Sequence, residues 1–434
     1  MTAQRIRRQL PTLFLVILIA AAVRIAWIIF VHPNPADGRF DDTAWYYAAA
    51  RFFAHGDGYV NPFTGTPTAA WPPGYPVALG VLFKIAGTGT TQAYAANVVL
   101  ATATVAVVYA IAHTLFDRRT ALVAALALAL WPGQIYFSSL TLSEPLFTFL
   151  FALGFLLIVL VPRAGAWRGT ALLALGVVVG AAALTRGQAL ILLPLALAGW
   201  GMAGYRWRPA FAWVALAGVA AALVIAPWVV RNDHQLGSPV LISTNLGPNL
   251  WIGNHSDATG RMGIPEADPP LPQRGTLTQP QYEVKADQLA LRKGLSYMLS
   301  HPVNEVRLAG AKIRAMYESD ATALDWNAAY RPDYYASPSV EHGLRNLANG
   351  VWFAAIALAA VGLVATRRQL GGLAGLLPLT VLAWTAAHVV FFGDARFHYP
   401  VVFAIAVLGA RGVVELVAAL RSPERALGGR YAEA

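Results

Sequence analysis

The sequence predicts an all-α polytopic membrane protein of about ten transmembrane helices with a small mixed extracytoplasmic subdomain. Of its 434 residues, 57% are hydrophobic and 12% charged, where soluble domains carry about 25% charged residues. Apolar runs of the roughly 20 residues needed to cross about 30 Å of hydrocarbon recur between residues 11 and 420. Arginines cluster between those runs, the placement that fixes a chain's orientation in a bilayer.

The predicted spans are residues 11–31, 92–115, 119–137, 144–161, 168–184, 187–204, 209–230, 347–366, 370–392 and 397–420. The start, "MTAQRIRRQLPTLFLVILIAAAVRIAWIIF", has the charged opening and apolar middle of a signal peptide. No polar cleavage region follows its small residues, so it reads as a retained first helix. "YPVALGVLFKIA", residues 75–86, is too short to cross and is placed on the surface. That choice puts Arg5, Arg7 and Arg8, Arg118 and Arg119, Arg163 and Arg168, Arg206 and Arg208, Arg367 and Arg368, and Arg421 and Arg425 on one side. The positive-inside bias names that side cytoplasmic. Counting 75–86 as a span would scatter them. Residues 32–91 and 231–346 then lie outside, and the chain divides into an N-terminal transmembrane module (1–230), a soluble segment (231–346) and a C-terminal transmembrane module (347–434). In the soluble segment, "RNDHQLGSPVLISTNLGPNLWIGNHSDATG" mixes turn formers with short β-like runs. "QPQYEVKADQLALRKGLSYMLSHPVNEVRLAGAKIRAMYES" has helical periodicity interrupted at His301 and Pro302.

Composition narrows the function classes. The formal net charge of +10 lies in the short clusters between apolar runs, so nucleic acid is not a partner. Zero cysteines leave no disulfide, thiolate metal site or cysteine nucleophile. There is no phosphate-binding loop of the GxxxxGKT type, no HExxH and no GxSxG. The nine histidines are dispersed, and a divalent metal is left open. All of the 22 acidic residues except Asp117, Glu415, Glu424 and Glu433 fall on the outer side or at outer helix ends. Acids do little to set topology. Chemistry on the outer face is the simplest cause of their placement.

Asp41 and Asp42 follow the first span and precede an amphipathic stretch from Thr43 to His55. One of them suits an N-cap, but two in succession ahead of Trp45, Tyr46 and Tyr47 are harder to explain as caps. A carboxylate partly desolvated among rings becomes a better base. Glu144 opens the fourth span ahead of Pro145, where the helix dipole alone favours a carboxylate. Arg186 lies in a very short outer turn, and Arg396 and His398 lie at the outer start of the last span. Short outer loops avoid Arg, so these residues are candidates for an anionic headgroup or phosphate. Pairing with Asp394 or Glu144 is the competing and compatible explanation. Arg24, in the outer half of the first span, either snorkels to the interface or meets a ligand.

"DDTAWYYAAARFFAHGDGY", "PTAAWPPGYPVAL", "SEPLF", "TRGQALILLP", "APWVVRNDHQLGSPVLISTNLGPNLWIGNHSDATG" and "RFHYPVVF" occur in this order. The ordered set resembles the polytopic GT-C glycosyltransferases, in particular the family 39-like bacterial branch of ArnT-like and protein-mannosyltransferase-like enzymes. The resemblance covers most of the chain and implies a helical membrane bundle with an outer cavity under two helices lying along the bilayer, residues 43–55 and 75–86. It also implies a general base in the first outer loop. Aligning Trp45 and Tyr46 with the family's pattern puts the base at Asp42, with Thr43 where many relatives carry Glu. That departure leaves Asp41 as a substitute second carboxylate or as the base itself.

The resemblance further implies a polyprenyl-phosphate sugar donor, a glycan, lipid or protein acceptor, and a plasma-membrane location with the site extracytoplasmic. The topology asks for such a donor independently, because nucleotide sugars are made in the cytoplasm. A phosphate leaving group needs no general acid, so a single base suffices for inverting transfer. Arg186, Arg396 and Arg231 would hold the phosphate. Tyr46, Tyr59, Trp71 and Tyr75 would stack on sugar or line a prenyl groove, or else form an interfacial aromatic belt. Glu144 and His398 complete the substrate-binding candidates. A transporter or flippase of a lipid-linked sugar is the alternative, but the chain lacks the paired repeats common in carriers. A non-catalytic membrane scaffold is the other.

Overall fold

The computed structural model describes residues 10–34, 41–263, 271–330 and 338–421. The basic residues Arg5, Arg7, Arg8 and Arg425 and the acids Glu424 and Glu433 lie outside the described residues. The described chain is nearly all helical. It has no strand, only the isolated bridges Val60 to Pro67 and Arg261 to Gly393.

Helix α1 (Leu10–Val31) is the first span. The first outer loop folds into α2 (Asp42–His55) and α3 (Gly74–Ala86), both too short to cross. Next come α4 (Thr90–Leu115), α5 (Arg118–Ala129) and the short α6 (Pro132–Tyr136). Helices α7 (Glu144–Leu160), α8 (Arg168–Thr185), α9 (Leu192–Met202) and α10 (Trp207–Leu236) complete the N-terminal bundle. The segment expected to lie outside carries α11 (Leu246–Gly253), α12 (Gln279–Ser300), α13 (Pro302–Tyr317) and α14 (Thr322–Tyr330). The chain returns through α15 (Pro338–Ala365), α16 (Leu376–Val389) and α17 (Val402–Arg421).

Among the described residues, seven helices are long and apolar enough to cross a membrane, or eight if the bent pair 118–129 and 132–139 is one span. The chain is a multi-pass membrane protein. Two of the expected spans are shorter than the sequence suggests. The run at 187–204 begins as a 3-10 turn and gives only 11 α-helical residues in α9. The run at 370–392 likewise begins in turns, with 14 residues in α16. The expected span at 119–137 bends by 52° at Leu130 and Trp131, just before Pro132 opens α6, because proline removes a backbone donor. Arg24 resolves there: it is fully buried and donates to Leu128 O at 3.3 Å and Ala129 O at 3.0 Å. It satisfies carbonyls freed by the break, as intramembrane backbone requires, and neither snorkels nor faces the cavity described below.

The outer segment differs from the mixed subdomain expected. Among the described residues its β-like runs have no partner strand: Thr244 N donates to Ala69 O at 2.8 Å, and Val240 N turns back to Ser238 O at 2.8 Å. The chain then enters α11. Thr278 and Gln281 form a capping box at the start of α12, and Pro302 occupies the first turn of α13.

Small residues set the helix spacing. A Cβ on Gly412 would collide with Leu358 O of α15, and one on Gly362 with Leu408 O of α17. Close approach at small residues is how apolar helices associate where lipid removes the hydrophobic drive. Gly74 is pressed in the same way against Leu184 and Thr185 at the end of α8. That contact seats α3, and with it α2, over the bundle. The rings of the first loop, Trp45, Tyr46, Tyr47, Tyr59 and Tyr75, are buried in one cluster with Trp27, Tyr136 and Tyr399.

Candidate active site

At one end of the bundle, α2, α7, α8, α11, α12 and the 3-10 turn Ala395–Val401 enclose a cavity of about 1060 Å³. The far end is set by α7, which starts at Glu144 on the cavity wall and leads into Arg163. Arg163 donates to Thr114 O at 3.3 Å, and Arg411 pairs with Asp117 at 2.7 Å, so the basic ends of α4, α5, α7 and α17 gather away from the cavity.

The two adjacent aspartates take different positions. Asp41 is the N-cap of α2: its Oδ1 accepts from Thr43 N at 3.0 Å, Ala44 N at 3.1 Å and Thr43 Oγ1 at 3.0 Å. Asp42, the first helical residue, faces the cavity. Its Oδ2 accepts from Arg396 Nη1 at 2.9 Å and its Oδ1 from Trp71 Nε1 at 3.3 Å. Trp71 is held by stacking on Trp45, with ring centroids 4.5 Å apart.

A second ion pair stands on the same wall. Glu144 is fully buried, and its Oε1 accepts from Arg186 Nη2 at 2.5 Å. Arg186 Nε donates to Ser143 Oγ at 3.1 Å. The extended backbone of Arg186, between α8 and the turn 187–191, throws its side chain across to the start of α7. Asp394 caps the backbone N–H of Arg396 at 2.8 Å, leaving the guanidinium for Asp42. Trp326 and Phe397 lie 5.4 Å from that guanidinium. Burial, with Asp42 beside it, pushes the Tyr46 phenol above its ordinary pKa, so it stays an O–H donor on the cavity wall.

The cavity therefore brings together Asp42, Tyr46, Trp71, Glu144, Arg186 and Arg396. The other sequence candidates lie off its wall. Arg231 donates to Thr68 O at 2.8 Å and Tyr59 O at 2.5 Å, fastening the first loop to α10. Together with Tyr59 it lines a separate, mostly apolar hollow of about 810 Å³. Tyr59 itself donates to Trp71 O at 2.8 Å and so positions the indole that meets Asp42. Tyr75 is buried against Asn97 at 3.3 Å. His398 is buried between Met316 O at 2.7 Å and Asp320 Oδ1 at 2.9 Å, stacked on Trp352.

Sequence reasoning missed the roof. Thr244, Asn245, Asn249, Glu283, Asp287 and Gln288 line the cavity from α11, α12 and the preceding turn. Glu283 accepts from Thr68 Oγ1 at 2.6 Å, Ala69 N at 2.8 Å and Thr244 Oγ1 at 2.6 Å, tying α12 to the first loop. Asp287 Oδ1 accepts from Gly247 N at 2.7 Å, and burial raises its carboxyl above the usual range.

Residues 70–230 match the family model described as dolichyl-phosphate-mannose-protein mannosyltransferase. No curated protein matches the chain. Among solved structures it resembles the archaeal oligosaccharyltransferase AglB from Archaeoglobus fulgidus in complex with an inhibitory peptide and a dolichol-phosphate. The identity is 15%, the TM-score 0.52, and the match covers 98% of this chain and 53% of that one. An Archaeoglobus fulgidus oligosaccharyltransferase tethered to an acceptor peptide containing the NVT sequon matches at 16% identity and TM-score 0.55, over 97% and 51% of the two chains. The fold is GT-C-like. The chain spans about half the length of these oligosaccharyltransferases. ArnT from Cupriavidus metallidurans bound to undecaprenyl phosphate matches at 18% identity over 94% of this chain and 79% of that one, with a TM-score of 0.40.

One of the matched oligosaccharyltransferase structures is a complex with Zn and sulfate. Asp42 and Glu144 each already face a guanidinium. Among the described residues, no three His, Cys, Asp or Glu come together to hold an ion. A divalent metal held by Asp42 or Glu144 would have to draw that carboxylate away from its arginine.

Proposed function

We propose that the chain is an inverting glycosyltransferase that moves a sugar from a polyprenyl-phosphate donor to an acceptor hydroxyl on the extracytoplasmic face of the plasma membrane. The observation that carries this reading is the Asp42 carboxylate on the cavity wall, bonded to Arg396, with the Arg186 and Glu144 pair on the same wall. The match of residues 70–230 to a family named for dolichyl-phosphate mannose, and a like-folded enzyme solved in complex with dolichol-phosphate, support a lipid-phosphate donor. The basic clusters at the opposite end of the bundle support an outward-facing cavity.

In this mechanism Asp42 takes the proton of the acceptor hydroxyl as its oxygen attacks the anomeric carbon. The bond from that carbon to the phosphate oxygen breaks on the opposite face, and its electron pair leaves with the phosphate. Arg186 and Arg396 stabilise the growing charge. Arg396 serves both partners, because one guanidinium nitrogen holds Asp42 while its Nε has no protein partner among the described residues. The leaving phosphate has a second pKa of about 6 and needs no acid.

The test is transfer by the purified protein from radiolabelled polyprenyl-phosphate sugars. Asp42→Asn should lower turnover by about 100- to 10,000-fold, the range of a general base. Asp41→Asn keeps an N-capping oxygen and should remain within a few tenths of a kcal/mol of wild-type stability, with transfer retained. Undiminished transfer in Asp42→Asn would remove the mechanism.

A further inference from the structure

We infer that Glu144 recognises the sugar of the donor, accepting a hydrogen bond from one of its hydroxyls. This rests on the proposed function and assigns a specificity task within the same cavity. Glu144 is fully buried at the first turn of α7 and lines the cavity. One carboxylate oxygen is taken by Arg186, and the other, Oε2, has no partner among the described residues. A buried carboxylate oxygen left without a donor is costly and rare. Its place on the cavity wall points to a ligand as the missing donor.

The chemistry of that ligand is constrained. An anionic phosphate oxygen brings no proton and would be repelled by Oε2, so the phosphate belongs with the guanidinium groups. Oε2 wants an O–H or N–H donor, and a neutral sugar is dense in hydroxyls. Arg396 offers the complement. Its Nε is a buried donor without a protein partner, and its charge is coupled to that of Glu144 as well as of Asp42. A phosphosugar satisfies both: a hydroxyl donates to Glu144 while an oxygen accepts from Arg396. An acceptor hydroxyl has the same chemistry as a sugar hydroxyl, and binding measured without acceptor separates the two.

The experiment compares equilibrium binding of decaprenyl-phosphate mannose, glucose and arabinose with that of bare decaprenyl phosphate, in the absence of any acceptor. Wild-type protein should prefer at least one glycosylated lipid. Glu144→Gln should cut that preference by about ten- to a hundredfold, the range for a hydrogen bond to a charged group, while bare decaprenyl phosphate is affected far less. Glu144→Asp retains the charge for Arg186 but withdraws the oxygen by one methylene, and should lose the preference in the same direction. A purely structural role, holding Arg186, would weaken glycosylated and bare lipid together and leave the ratio unchanged in both variants, which overturns the inference. Equal wild-type binding of bare and glycosylated lipids also overturns it, without touching the proposed function. No wild-type binding of any of these lipids would instead sink the proposed function.

Discussion

At the scale of single residues, neighbours in sequence are separated by which way the first turn of a helix points them. Asp41 is consumed by the backbone of α2, and Asp42 is carried one position further, to Arg396 and the cavity. The sequence left these two unresolved because both suit an N-cap, and the choice between them depends on an arginine more than 350 residues away. A different logic applies at Asp287. Burial raises its pKa, so the folded state holds its proton to higher pH than the unfolded chain does. Between the unfolded and folded values the native state therefore binds more protons, and stability falls as pH rises through that window. Asp287→Asn removes the desolvated charge and keeps an oxygen to accept from Gly247 N. The variant should melt above wild type at pH 7, with the gap closing as pH falls toward 4. Thermal unfolding in detergent at the two pH values measures this, and an advantage that grows on acidification would contradict it.

At the scale of elements, apolar length identified the long spans and residues 75–86 as too short to cross, because both follow from a run's extent against bilayer thickness. The soluble segment was less legible. Val240 to Asn245 looks β-prone, yet its backbone donors are taken by Ala69 and by a local turn, so no ladder forms. Glu283 and Asp287 fall in a stretch the sequence marks only as helical and as carrying some of the acids expected on the outer side. Their place in the cavity roof arises when α12 closes over the first loop through Thr68, Ala69 and Thr244, a tertiary event with no local sequence mark. Helix crossings were equally silent, although the glycines that make them are visible. Gly412→Val places a branched side chain against Leu358 O and Gly362 N where α15 and α17 touch. Overpacking of this kind costs about 1–3 kcal/mol, so the variant should melt several degrees below wild type. Gly371→Val, at an exposed turn with nothing near its Cβ, is the matched control and should not move.

For the whole molecule, the ends of the bundle differ in what they hold. The two partly buried ion pairs and the acidic roof stand at the cavity end, and Arg163, Arg168 and Arg411 stand at the other. Under the positive-inside tendency, the proposed orientation has the cavity facing away from the cytoplasm. The absence of native cysteine makes the orientation directly measurable, since any introduced thiol is the only one in the chain. Ser300 is exposed at the end of α12, whose Glu283 and Asp287 line the cavity. Ala166 is exposed in the connection after α7, beyond the end that meets Thr114. In cells whose envelope admits the reagent only as far as the outer face of the plasma membrane, a membrane-impermeant maleimide should label Ser300→Cys. It should label Ala166→Cys only after permeabilisation. The reverse pattern would turn the cavity toward the cytoplasm, where nucleotide sugars are at hand, and would remove the reason for a lipid-carried donor.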